Sequence, residues 1–146
     1  MSQILSSGQK VRGEVSQQDC TIEQLLGGGG QGEVYRAGLA GKRVALKWYF
    51  PHAATAQQRA CLETLVRKGP PNSRFLWPIE IAWADAVPGF GYMMPLREAR
   101  YRGIVELMKR RIDPTFRALV TAGFELAHSF LQPHSKGIML SRHFVR

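Results

Sequence analysis

Apolar and polar positions alternate over residues 20–26 and again over 33–37, and a third run, 43–50, carries Val44 and three aromatics. A period of two, rich in β-branched and aromatic side chains, predicts three strands. Glycines end the first strand and residues 38–41 make the next turn, so the three should form an antiparallel meander. Pro51 stops the third. Residues 55–68 then change to helical spacing, with Cys61, Leu62, Leu65 and Val66 on one side, until Gly69-Pro70-Pro71-Asn72 ends the helix. Residues 75–83 and 91–96 read as two more strands around a turn at 85–89, and residues 103–111 as a short helix. Asp113 then reads as an N-cap with Pro114 at the first helical position. The helix over 114–132 has the clearest period of the chain: Phe116, Leu119, Val120, Gly123, Phe124, Ala127, Phe130 and Leu131 share one face, and Pro133 closes it. Residues 1–17 read as a loose lead-in.

Composition adds bounds rather than elements. A chain of 146 residues, 45% hydrophobic, can bury one core. It contains no run of eighteen apolar residues, so no membrane partner is expected. The first fifteen residues lack the apolar segment of a secretory leader. Cys20 and Cys61 have no metal-ligand spacing and read as free thiols, which points to a cytoplasmic location. The net charge of +9 raises the question of nucleic acid. The basic residues are spread out, with one concentration from Arg97 to Arg111, and neither basic–aromatic interleaving nor a zinc-finger spacing accompanies them. No nucleic-acid partner is therefore expected; the basic face is either solvated or meets acidic groups from elsewhere.

The chemistry lies between residues 26 and 47. Gly27, Gly29, Gly32 and Val34 fit G-x-G-x-x-G-x-V, with Gly28, Gly30 and Gln31 filling the loop, and Lys47 ends a V-A-x-K strand fifteen residues after Gly32. Glycines between two strands let backbone N–H groups approach phosphate oxygens with no Cβ intervening. The plain alternative is a tight hairpin without a ligand. Lys47 stands in an otherwise apolar strand, and a buried ammonium needs a partner. Glu63 is the single acidic residue between Lys47 and Ile79, which makes it the available partner; the alternative is a surface lysine and a surface glutamate. A Walker-type phosphate loop is excluded, because Gly41-Lys42 is followed by Arg43 rather than a hydroxyl residue.

The two signatures together resemble the nucleotide-gripping small lobe of a protein kinase. The resemblance runs over residues 18–139, and the stretches Ala45-Leu-Lys-Trp-Tyr-Phe-Pro51, Arg74-Phe-Leu-Trp-Pro78 and Gly91-Tyr-Met-Met-Pro95 are similar to a bacterial group of Ser/Thr-type kinase-like proteins. It implies an α+β fold: a five-stranded antiparallel small-lobe sheet with one helix over 18–96, then the hinge and first large-lobe helices over 97–139. It implies ATP as ligand, with Leu26 and Gly27 to Gly32 over the phosphates and Val34 and Ala45 above the adenine. Lys47 would hold the α- and β-phosphates while paired to Glu63, the two counted as catalytic residues. Met93 would guard the back of the pocket, and the backbone of Met94 to Leu96 would bond the adenine edge.

The chain departs from the family where catalysis should begin. A kinase needs an aspartate base plus an asparagine and a second aspartate for magnesium. The three aspartates here are Asp19, Asp85 and Asp113 and the one asparagine is Asn72, none of them placed for a catalytic loop. Residues 134–139 resemble the approach to that loop, but 140–146 then form an unrelated tail. The expectation is an ATP-binding kinase-like domain, truncated and inactive alone, with magnesium's ligands missing. The alternative is a non-catalytic module that binds nucleotide or a partner. A protein partner, or the missing large lobe, would cover the apolar stripe of the long helix.

Overall fold

The computed structural model describes residues 3–137. It divides into two compact units, Met1–Pro70 with Leu76–Arg97, and Pro71–Phe75 with Glu98–Arg146. The tail over 140–146 lies outside the described residues, as do Ile138 and Met139.

The first unit is a closed antiparallel barrel of six strands. They are β1 (Lys10–Gly13), β2 (Asp19–Gly28), β3 (Gly32–Leu39), β4 (Lys42–Tyr49), β5 (Glu80–Ala84) and β6 (Val87–Pro95), in the order β1-β2-β3-β4-β6-β5. This overturns the expected open five-stranded kinase small-lobe sheet. The cause is the segment read as a loose lead-in: β1 pairs with β2 through Val11↔Cys20 and with β5 through Gly13↔Ala82, joining the two free edges. Closure removes both edges and their unpaired backbone groups.

The N-terminal segment is anchored well beyond this strand. Leu5 is fully buried in the barrel interior with Val11, Cys20, Ile22, Tyr35, Leu46, Trp48 and Met93. Its N–H donates to the Tyr35 hydroxyl at 3.0 Å, the N–H of Ile4 donates to Glu33 Oε2 at 2.9 Å, and the Tyr35 hydroxyl donates to that same oxygen. Glu80, a buried carboxylate, accepts from the N–H groups of Val15 and Ser16, both at 3.1 Å, and from Ser16 Oγ at 2.6 Å. Three donors on one carboxylate offset its burial.

The β3–β4 hairpin turns on Ala40 and Gly41, both at positive φ (48° and 78°), the geometry that matches strand twist in a two-residue turn. Helix α1 (Ala56–Lys68) starts at Thr55, whose hydroxyl accepts from the Gln58 N–H, and buries Leu62 against Tyr49, Ile81, Phe90 and Tyr92 on the outside of the barrel. β5 begins at Glu80, five residues later than the pattern suggested.

The second unit holds α2 (Ile104–Met108) and α3 (Phe116–Ser135). Thr115 caps α3, its hydroxyl accepting from the Ala118 N–H at 3.2 Å, so the cap is not Asp113. Pro133 lies inside the last turn rather than ending the helix.

Candidate functional site

Strand register decides which candidates share a surface. In β4, Val44, Leu46 and Trp48 fill the interior, which leaves Ala45, Lys47 and Tyr49 on the outer face. Lys47 is opposite Val34 on one side and Tyr92 on the other, and Val34 is in turn opposite Gly27. One row therefore crosses four strands: Gly27, Val34, Lys47, Tyr92. Gly27 and Lys47 are two strand spacings apart, roughly 10 Å. Ala45 is opposite Met94 in the neighbouring row. Leu26 sits at a bulge in β2 and is half exposed.

Met93 does not belong to this face. It is fully buried in the barrel interior, opposite Leu46, and its carbonyl accepts from the Ile79 N–H at 2.7 Å. The pleat sends Met94, one residue on, to the face of Ala45 and Lys47. Choosing between two adjacent methionines needs the register, which the sequence did not supply. Ala45 is itself almost covered, Val34 and Met94 are partly buried, and Leu26 is half exposed. Leu96 follows β6, beyond the last ladder pair, Val44↔Pro95.

The glycine hairpin is held down at its tip. The Gly29 N–H donates to the Gly32 carbonyl at 3.0 Å, and the Phe50 N–H donates to the Gln31 carbonyl at 2.9 Å. His52 Nε2 lies 2.9 Å from the Gly30 carbonyl, with its ring stacked on Phe50. These tethers use carbonyls, and among the described residues the N–H groups of Gly30 and Gln31 meet no acceptor. Phe50 and His52 were missed as candidates; the Pro51 between them reads only as a strand stop.

Lys47 is partly buried, and desolvation holds its ammonium below the usual lysine range. Nζ lies 5.1 Å from the Tyr49 ring centroid. The expected ion pair with Glu63 is not formed. Glu63 is mostly exposed and pairs with Arg59, Nε to Oε1 at 3.2 Å, one turn back on α1. Arg59 also reaches the Glu14 carboxylate, with Nη2 2.6 Å from both oxygens, and lies over the Phe90 ring. The Arg59 guanidinium, four residues earlier on the same helix, is the neighbour that Glu63 meets.

The row thus brings together a glycine turn with two amides that meet no acceptor and a half-buried ammonium that forms no ion pair among the described residues. Among the described residues no three His, Cys, Asp or Glu side chains are placed to hold one. Cys20 and Cys61 are both free, the first in the barrel interior, where burial pushes its thiol up to about 11, the second on exposed α1. No helix among the described residues is long and apolar enough to cross a membrane.

No protein-family model matches the chain, and no curated protein is significantly similar to it.

Proposed function

We propose that the barrel is an ATP-binding module whose phosphate grip is kinase-like, and that this chain does not transfer phosphate by itself. The observation that carries the reading is Lys47: a desolvated ammonium with no carboxylate partner, in one row with Gly27 of a glycine hairpin. An anion supplied from solution would neutralise it at no cost in protein contacts.

The glycine turn and Lys47 contact the phosphates, while Leu26, Val34 and Met94 flank the base. ATP brings the phosphate charge that Lys47 lacks. Among the described residues no group of carboxylates is placed to hold magnesium. Positioning alone, without a base, does not drive transfer. The alternative of 18–96 as a module for a protein partner alone leaves Lys47 unexplained.

Isothermal titration with ATP tests the proposal. The expected affinity is on the order of millimolar, about −4 kcal/mol, and is lost in Lys47→Met. Absence of binding, or binding indifferent to Lys47→Met, would sink it. Incubation with γ-labelled ATP and a generic protein substrate should give no incorporation; labelling abolished by Lys47→Met would overturn the non-catalytic half.

A further inference from the structure

The long helix of the second unit is turned inside out. Its polar side is engaged by the chain: Asn72 Nδ2 donates to Gln132 Oε1, and Arg74 forms an ion pair with Glu125. Its apolar side faces solvent. Phe116 is 81% exposed, Phe124 69% and Leu131 66%, with Val120 and Leu126 both at 55%. At 100° per residue these side chains, with Leu119 and Phe130, fall within an arc of roughly 160°.

Two features indicate what covers this arc. The first is its symmetry. Reading outward from Glu125, Phe124 is matched by Leu126, Gly123 by Ala127, Val120 by Phe130 and Leu119 by Leu131, while Phe116 falls opposite His134, so the symmetric part of the stripe is 119–131. A pattern that reads alike in both directions sets like residues against like when two copies run antiparallel about a two-fold axis. The second is Gly123. It lies in mid-helix at the centre of the stripe, where glycine weakens a helix relative to alanine. A Cβ built there meets nothing within 4 Å of its own chain. Nothing among the described residues explains the glycine, whereas close approach of a second helix does.

We infer that α3 is a homodimerisation helix, two copies packing antiparallel about a two-fold axis at the level of Glu125, with Gly123 of one copy against Ala127 of its partner. Seven large apolar side chains at these exposures present on the order of 800 Å² per copy, about the area one partner contributes to a standard stable interface.

The test is sedimentation equilibrium of the full chain over a hundredfold concentration range. The expected mass is twice that of the chain. Phe124→Glu and Gly123→Leu should each weaken association at least tenfold. Gly123→Leu also improves helix propensity, so circular dichroism should show helix content retained while the dimer is lost. For orientation, Leu119→Cys and Leu131→Cys are made in a Cys61→Ser background and mixed under mild oxidation. The 119–131 disulfide should dominate over 119–119 and 131–131. A monomer throughout, a polydisperse aggregate, a dimer indifferent to Gly123→Leu, or dominant 119–119 linkage would each overturn the inference.

Discussion

Lys47 Nζ lies 5.1 Å from the centroid of the Tyr49 ring, and among the described residues no carboxylate forms an ion pair with it. A ring face attracts a cation but does not replace an anion. Burial of the lysine is therefore not offset by an anion among the described residues. Its folded-state pKa is lowered by burial, so between that value and 10.5 the unfolded chain binds more protons than the folded one. Stability should rise with pH across that window. Lys47→Met should remove the rise and leave the barrel at least as stable as the parent. Thermal melts from pH 7 to pH 10.5 read both effects. A variant less stable than the parent would mean that Lys47 has a partner in the folded protein.

Glu63 makes the opposite prediction. It is 57% exposed and serves Arg59, so Glu63→Gln should change stability by less than about 0.5 kcal/mol. It should leave ATP affinity unchanged, because the carboxylate does not reach Lys47. Arg59→Ala removes both the Glu14 and Glu63 contacts and the packing on Phe90, and should cost about 1–2 kcal/mol. Denaturant melts and titration calorimetry on the two variants separate these outcomes. A large loss of ATP binding in Glu63→Gln would restore the lysine–glutamate pair.

Much of the barrel could be read from local pattern. The strands at 20–26, 33–37 and 43–50, and the helices at 55–68 and 114–132, have the periods their structures require. What could not be read is closure. Val11 and Gly13 face the core from a four-residue strand flanked by polar residues, too short for alternation to register, and its partners are non-local. Which of the candidate residues share a face could not be read, because that depends on register. Met93 and Met94 are equivalent in sequence and lie on opposite faces. Glu63 was chosen because no other acidic residue was available, and Arg59 at i−4 decided otherwise. The long helix was correctly read as amphipathic with an uncovered apolar face, while the polar anchors at Asn72 and Arg74 are contacts across 60 and 51 residues.

The N-terminal segment around the closing strand, residues 4–16, should carry a large share of barrel stability. Leu5 is fully buried, and Leu5→Ala should cost about 2–5 kcal/mol. Glu80→Ala leaves the Val15 and Ser16 N–H groups and the Ser16 hydroxyl without their acceptor, at about 1–3 kcal/mol. Gly13→Ala should be of similar cost, since a Cβ there would lie 2.5 Å from the Glu80 carboxylate, which three hydrogen bonds hold in place. Combining Gly13→Ala with Glu80→Ala should cost less than the sum of the two, because the second change removes the clash of the first. Strict additivity by urea denaturation would show that Gly13 and Glu80 do not meet.

Within six residues the glycine hairpin holds one glycine that the fold requires and three that it does not. At Gly32 a Cβ would stand 2.0 Å from the Trp48 carbonyl oxygen, a rigid backbone atom, so Gly32→Ala should disrupt the β3–β4 pairing and abolish folding and binding together. At Gly27, Gly29 and Gly30 a Cβ meets nothing within 4 Å, and none of the three has its φ in the left-handed region. The fold has no need of glycine there. Alanine reduces the freedom of the unfolded chain, so each single replacement should leave stability unchanged or raise it by about 0.4–1 kcal/mol. The same methyl groups stand where phosphate oxygens would approach the turn, and the triple variant should lose ATP affinity about tenfold or more, or at least about 1.4 kcal/mol. Melting temperature and ATP titration on the triple variant decide the matter. Stability held with affinity lost would assign the three glycines to the ligand. Affinity held with stability lost would return the hairpin to a purely structural role and remove the phosphate grip from the barrel.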